Sequence, residues 1–280
     1  MAIKYGIEEA RRRISEEREL KTCMLDLSGL GLTDLPDETF DLAHLKVLKI
    51  GCHQSKDSRG MRLNLITSLS RIAELSNLEY LDCRHTQISA LSPLASLSRL
   101  EWLDCGATRV TDLSPLLHLS ELHTLGCILL EVTDLGPISH LSRLKRFHCW
   151  GSKVSDLSPV APLSELQDFD CGDTQVTDLS PISQLRKLQH LRCGGQQVVD
   201  LSPLAQLSSL QSLDCSKMRG TDLAPLAKLF QLQSINCSST RVGDLSPLAH
   251  LSGLQELYCS ETQVTDLEVD PVCRTKTGPS

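Results

Sequence analysis

Apolar and polar residues follow one fixed order along most of this chain. Residues 100–119 show it in full, reading Leu-x-x-Leu-x-Cys-x-x-Thr-x-Val-x-Asp-Leu-Ser-Pro-Leu-x-x-Leu, with Leu100 as position 1. Leu103 and Cys105 flank the polar Asp104, and this period of two is typical of a strand that is buried on one side. Each unit therefore predicts one short strand around its fourth position.

A turn signal follows each strand. Ser114 and Pro115 predict an N-cap and then a proline at the first helical position, so that the chain turns and Leu116 comes back to the core. The aspartate two residues before the serine can accept backbone N–H bonds at this turn. It recurs as Asp112, Asp134, Asp156, Asp178, Asp200, Asp222, Asp244 and Asp266. We interpret these carboxylates as structural.

The unit repeats with a constant length. Cysteine occupies position 6 every 22 residues, at Cys83, Cys105, Cys127, Cys149, Cys171, Cys193, Cys215, Cys237 and Cys259. Two earlier segments, 22–27 and 45–50, fit the template with an aliphatic residue in place of cysteine, which makes eleven predicted strands. The step between the second and third strands is 33 residues, so an 11-residue insertion lies within residues 51–62. Such a period indicates one supersecondary unit stacked on its neighbours.

This spacing of leucines resembles the leucine-rich repeat family, and the 22-residue length with its Ser-Pro-Leu-Ala segments is similar to the internalin-type subclass. The resemblance covers residues 22–267. It implies an α/β solenoid with a parallel concave sheet of eleven strands and 3₁₀ or short turns on the convex side. It also implies that the concave face binds a protein.

The hydrophobic core of a solenoid is exposed at both ends unless a capping element shields it. At the start, a helix over residues 3–19 is predicted, with Glu8–Arg12 and Glu9–Arg13 pairs. Its apolar stripe consists of Ile3, Ile7, Ala10 and Ile14. This helix and the segment 25–36 also resemble the repeat entry of bacterial Roco-type GTPases.

We predict a helical cap over 1–21, the solenoid over 22–267 and a polar tail over 268–280. The repeat breaks off after Leu267, which leaves three alternatives: the native protein continues, a partner contacts this uncapped edge, or the last repeat frays.

The net charge of the chain indicates which classes of partner it attracts. The chain has 28 basic and 35 acidic residues, a net charge of −7 and a pI near 5.7, which disfavours broad attraction to nucleic acid or to an anionic membrane. No apolar run approaches the roughly 18 residues that a membrane span needs. With no signal peptide predicted, the cytoplasm is the expected compartment, and leaderless secretion as a bacterial effector is the alternative.

The nine cysteines at position 6, which we call the cysteine ladder, suggest a metal site or redox chemistry. The geometry expected for parallel strands argues against both. Neighbouring strands keep parallel side chains further apart than a disulfide prefers, and zinc needs four ligands that converge. We therefore predict buried, reduced thiols and no cofactor. Cys171-Gly172-Asp173 resembles the Cys-x-Asp motif of bacterial ubiquitin ligases linked to leucine-rich repeats, yet it falls on the repeat period. We predict that the chain is not an enzyme.

Position 9 departs from the family pattern. Asparagine usually stands there and bonds neighbouring loops, whereas this chain has Thr86, Thr108, Thr174, Thr240 and Thr262. We expect the threonine hydroxyl to substitute in part for that asparagine.

Aromatic and charged residues are concentrated at positions that project from the concave face. Both tryptophans and two of the three tyrosines lie at such positions. Exposed aromatic side chains on a rigid sheet are preferred anchors for a partner. The alternative is that these rings stack along the strands and only shield the sheet. The predicted partner-binding residues are Glu79, Tyr80, Asp82, Trp102, Asp104, Arg146, His148, Trp150, Asp170 and Arg192.

The sequence thus predicts a module that binds another protein through its concave face. The alternative is a recognition or regulatory domain of a larger protein, either a Roco-like GTPase or a secreted effector, whose catalytic part lies outside this chain.

Overall fold

A computed structural model describes residues 2–52, 62–195, 197–220 and 222–265, with side chains from residue 6 onward. The chain divides into two compact units, Met1–Leu144 and Lys145–Ser280. Most of the predicted insertion and the whole predicted tail at 268–280 lie outside the described residues.

The first unit begins with helix α1, Ala2–Leu20, and continues with five short parallel strands paired in chain order. The strands are β1 Met24–Asp26, β2 Val47–Lys49, β3 Tyr80–Asp82, β4 Trp102–Asp104 and β5 Thr124–Gly126. Their central residues are all leucines, which lie in register and are buried. A 3₁₀ turn follows each of these five strands, as in Ser114–Leu116 after β4.

The second unit has the same organisation. Its strands are β6 Arg146–His148, β7 Asp168–Asp170, β8 His190–Arg192, β9 Ser212–Asp214, β10 Ser234–Asn236 and β11 Glu256–Tyr258. They too pair in parallel and in chain order. The eleven predicted strands and their turns are therefore present, and the predicted fold class, a leucine-rich repeat solenoid, is confirmed.

The turn between strands is built differently from the prediction. Ser114 is the first residue of its 3₁₀ turn and not the N-cap, which is Leu113. The carboxylate of Asp112 closes the turn, because its Oδ1 accepts the Ser114 backbone N–H at 2.8 Å while Oδ2 accepts the Ser114 hydroxyl at 2.7 Å. These bonds lower the pKa of Asp112. The structural role predicted for this aspartate is confirmed, and the N-cap role predicted for the serine is wrong.

The ladder cysteines line the core. Cys83 and Cys105 each direct the thiol at the backbone carbonyl of the next strand, with 3.4 Å between sulfur and oxygen. Burial raises the pKa of Cys83, Cys149, Cys171, Cys193 and Cys215. All cysteines among the described residues are free thiols. The core also accommodates aromatic rings, since Phe147 and Phe169 stack with centroids 5.6 Å apart.

Threonine at position 9 does not bridge neighbouring repeats, contrary to our expectation. The hydroxyl of Thr86 donates to the carbonyl of Cys83 at 2.7 Å, within its own repeat. Thr108, Thr174, Thr240 and Thr262 make the same bond to their own ladder cysteines. Between cysteine and threonine the backbone takes a left-handed conformation, for example at Ala107 with φ of 52°. In these five repeats the threonine hydroxyl therefore stabilises the tight turn that follows the strand.

Helix α1 covers the first strand of its unit. Ala10 and Ile14 are buried, and Arg13 donates to the carbonyl of Asp26 at 2.8 Å. The predicted pair between Glu9 and Arg13 is present at 2.8 Å. The side chain of Ile3 lies outside the described residues. A helix over the first repeat agrees with a cap, whereas the predicted boundaries at 21/22 and 267/268 stay predictions.

Candidate protein-interaction surface

The outward side chains of the strands form what we call the sheet face, opposite the buried leucines and cysteines. The ten predicted partner-binding residues all belong to strands or to the residues next to them, and they fall into two groups. The first unit holds Glu79, Tyr80, Asp82, Trp102 and Asp104. The second unit holds Arg146, His148, Trp150, Asp170 and Arg192.

Tyr80 and Trp102 form the centre of the first group. They occupy paired positions on β3 and β4, and their rings stack with centroids 3.9 Å apart and planes 6° from parallel. Stacked rings on adjacent strands are held by the sheet beneath them, so little side-chain freedom remains to be lost on binding. The stacking alternative from the sequence is therefore observed here, and it also makes the pair a preorganised apolar surface.

Arg84 forms ion pairs with both aspartates of this group and is not among the residues predicted from the sequence. Its guanidinium binds Asp82 in a bidentate manner, at 2.9 and 2.8 Å, and reaches Asp104 at 3.3 Å. The same guanidinium lies 5.8 Å from the centre of the Trp102 ring. Asp82 and Asp104 are only 2% and 9% exposed as a result. These carboxylates thus position Arg84 and Trp102 more than they face solvent.

The periphery of the group is charged. Glu79 pairs with Lys46 on the preceding repeat at 2.8 Å, and Lys49 lies 5.9 Å from the centre of the Tyr80 ring. Burial, followed by the charge of Asp82, raises the pKa of Tyr80. An aromatic centre inside a charged border is the usual composition of a protein-binding patch.

The second group is a network of charges rather than an aromatic patch. Nε2 of His148 lies 3.3 Å from Asp168, and Arg192 lies 3.6 Å from Asp168 and 3.7 Å from Asp170. Burial would raise the pKa of Asp168, but His148 and Arg192 lower it overall. Burial raises the pKa of Asp170, in spite of the Gly172 N–H bond and the charge of Arg192. Asp168, at the third position of its repeat, is the residue of this network that the prediction omitted.

Trp150 lies two residues after β6 and is 38% exposed. Its Nε1 donates to the carboxylate of Asp173 at 3.1 Å. Gly172 leaves room for the indole, because a Cβ there would lie 3.1 Å from Trp150 Cδ1. Arg146 is exposed and makes no ion pair with any of the described residues. The structure thus gives Trp150 a fixed orientation on the neighbouring repeat.

Two features of the described residues bear on metal and thiol chemistry. No group of three or more His, Cys, Asp or Glu side chains there is arranged to hold a metal ion. The thiol of Cys171, in the Cys-x-Asp segment, is buried and its pKa is raised by burial, which is the opposite of an activated nucleophile. Among the described helices, none combines the length and apolar character of a membrane span.

Comparison with solved structures defines the class of this protein. No family model matches the chain, and no curated protein matches it in sequence. An internalin (InlF) from Listeria monocytogenes superposes with a TM-score of 0.82 and 25% identity, over 94% of this chain and 77% of that chain. Internalin C2 of the same organism is 31% identical over 62% of this chain and 77% of that chain, with a TM-score of 0.60. The chain belongs to the leucine-rich repeat family.

Two further structures share the fold. The functional domain of InlJ from Listeria monocytogenes, which includes a cysteine ladder, has a TM-score of 0.62 at 23% identity, over 92% of this chain and 63% of that chain. The ectodomain of the Arabidopsis thaliana receptor kinase GASSHO1/SCHENGEN3, solved with CASPARIAN STRIP INTEGRITY FACTOR 2, has a TM-score of 0.62 at 16% identity. It matches 82% of this chain and 31% of that chain.

Proposed function

We propose that this chain is a protein-interaction module and that its partner binds the sheet face. The observation that carries the proposal is the Tyr80–Trp102 stack, a rigid aromatic pair on adjacent strands. Aromatic side chains supply most of the energy at protein interfaces when they are central and preorganised. Arg84, Asp82 and Asp104 provide the polar support behind this centre.

The structural neighbours support the class of function and not the identity of the partner. The plant receptor ectodomain was solved with another molecule bound, so the fold can present a recognition surface. Burial raises the pKa of the Cys83 and Cys171 thiols, which disfavours a cysteine nucleophile at these positions. We propose the cytoplasm as the compartment, on the sequence argument alone.

A second candidate role rests on the N-terminal helix and the segment 25–36, which resemble the repeat entry of Roco-type GTPases. In that case the chain is the recognition domain of a larger protein, either such a GTPase or a secreted effector. The same sheet face would then recruit the target of a catalytic domain located elsewhere.

The test begins with partner capture by crosslinking and mass spectrometry in native lysate, followed by affinity measurements with the identified partner. Trp102→Ala and Trp150→Ala are compared with Phe230→Ala, which removes an exposed aromatic ring outside the strands. Loss of an interface anchor costs about 2 kcal/mol, so we expect affinity to fall about thirtyfold in Trp102→Ala. Phe230→Ala should bind like the wild type.

Melting temperature is measured beside affinity for every variant. The proposal is supported when Trp102→Ala loses affinity and melts within a few degrees of the wild type. Unchanged affinity in both tryptophan variants contradicts it, and so does a loss in Phe230→Ala of the same size. A loss that follows the fall in melting temperature also contradicts it, because unfolding would then explain the effect.

A further inference from the structure

A depression in the second unit, outside the strands, is lined by an unusual number of basic side chains. Its volume is about 630 Å³, and it lies between the loops that follow β9, β10 and β11. The lining residues are Lys217, Met218, Arg219, Ser239, Thr240, Arg241 and Glu261. Three of these seven side chains are cationic and one is anionic, in a protein whose net charge is −7.

The repeat places two of the cations next to each other. Arg219 and Arg241 are 22 residues apart and hold position 10 of consecutive repeats. Adjacent repeats are separated by about 4.8 Å at the strands, so like charges at this position repel each other unless an anion lies between them. Both arginines are exposed, as is Lys217 at position 8.

Two other cations of the chain have an acidic partner at this separation. Lys187 binds Glu165 at 2.6 Å, and Arg143 binds Glu121, each across 22 residues. Within the described residues, by contrast, Lys217, Arg219 and Arg241 form no ion pair. The one carboxylate of the depression, Glu261, accepts the hydroxyl of Ser239 at 2.7 Å. The depression therefore carries an excess of two positive charges.

We propose that this depression binds a phosphomonoester group. Such a group carries a charge of about −1.5 to −2 at pH 7 and three acceptor oxygens, which matches the local excess. Two guanidinium groups can each bind phosphate in a bidentate manner, and the ammonium of Lys217 adds a third donor. Glu261 opposes binding, since its charge lies in the same depression. This site is distinct from the sheet face and does not rest on the function proposed above.

The probes are inorganic phosphate and a short neutral peptide with one phosphoserine, each titrated by calorimetry into the full chain at low salt. The unphosphorylated peptide and sulfate serve as comparisons. We expect the phosphopeptide to bind and the unphosphorylated peptide to show no binding. Because the second phosphate pKa is about 6, affinity should fall between about pH 7.5 and pH 5.5, whereas sulfate keeps its charge over this range.

Substitutions of the arginines and of Glu261 should change the affinity for the phosphopeptide in opposite directions. Arg219→Gln and Arg241→Gln should each weaken binding about tenfold, the size expected for a lost charge-assisted hydrogen bond. Glu261→Gln should tighten it. Lys187→Gln is the matched control, because it changes the net charge by the same amount at a cation that already has a partner. Melting temperatures show that each variant is folded.

The source of the phosphate follows from the two probes. Binding of the phosphopeptide alone assigns the site to a phosphorylated protein, and binding of both probes assigns it to the phosphate group itself. The proposal is overturned if neither probe binds the wild type, if Lys187→Gln loses as much affinity as Arg241→Gln, or if Glu261→Gln weakens binding. Tighter binding of a single-stranded oligonucleotide than of the phosphopeptide also overturns it.

Discussion

Gly6 of α1 lies directly against the backbone carbonyl of Leu30, so closely that a Cβ on residue 6 would overlap the carbonyl oxygen. Leu30 belongs to a short parallel bridge with Arg62, and its backbone is held in place by that pairing. The helix can approach the first repeat only because residue 6 has no side chain.

Gly6→Ala should therefore destabilise the protein although alanine is the better helix former. The gain in helix propensity is about 1 kcal/mol, while an extra methyl group in a closed contact costs about 1–3 kcal/mol. We expect a net loss in the free energy of unfolding, measured by denaturant titration. Ser15→Ala, at an exposed position of the same helix, is the control and should be neutral or slightly stabilising. Equal behaviour of the two variants would show that the helix does not pack as described.

Glu17, near the end of α1, should make stability depend on pH. It is nearly buried, which would raise its pKa, but bonds from Thr22, His44 and the Cys23 N–H lower it overall. A carboxyl whose pKa is lower in the folded state contributes stability above its unfolded pKa of about 4.3, and this contribution is lost as pH falls through the folded value.

Glu17→Gln should thus be less stable than the wild type at pH 7, by about 1–3 kcal/mol, and the difference should shrink toward pH 3. Denaturant unfolding of both proteins at several pH values measures it. The comparison isolates Glu17, because other carboxyl groups with lowered pKa values, such as Asp112, are common to both proteins. A difference that stays constant with pH would contradict the assignment.

The ladder thiols should react slowly in the native protein. Cys83, Cys171, Cys193 and Cys215 are buried and their pKa values are raised, so the reactive thiolate is scarce and shielded. Among the cysteines that the structure describes, site-resolved mass spectrometry after brief alkylation should find modification first at the partly exposed Cys23 and Cys259. Full labelling of the ladder without denaturant would refute its burial.

Ala107 is predicted to be a site where glycine stabilises the fold. Its φ of 52° is a left-handed conformation that costs a residue with a side chain about 1 kcal/mol, and glycine avoids this cost. We expect Ala107→Gly to be stabilising by about 0.5–1 kcal/mol. Ala95→Gly, at a φ of −57°, is the matched control and should be destabilising. The same sign for both variants in thermal unfolding would reject the argument.

Much of the fold follows from the sequence because its period is constant. Spacing alone predicts Leu103 and Cys105 in the core and Asp104 on the opposite side, and the structure has a short strand, Trp102–Asp104, centred on the buried Leu103. The prediction for Ser114 is wrong because the sequence does not show whether the serine hydroxyl accepts a backbone N–H or donates to Asp112.

The candidate surface was harder to predict because its residues act across repeats. The positions of Tyr80 and Trp102 were recognised, but their stacking depends on the register of β3 and β4. Arg84 is absent from the predicted residues, because its contact with Asp104 on the next strand depends on the three-dimensional structure. An arginine two residues after an acidic strand position is a signal that could have identified it.

The threonine at position 9 has a consequence for how such a chain changes in length. Thr174 and Thr240 close the turns of their own repeats, each through the carbonyl of its own cysteine. The bonds from Asp178 to Ser180 and from Asp244 to Ser246, which start the 3₁₀ turns of the same repeats, are equally local. A repeat of this kind therefore contains both partners of its turn hydrogen bonds, and loss or duplication of one complete unit leaves these bonds intact. The protein can therefore gain or lose whole repeats without a new type of turn between them.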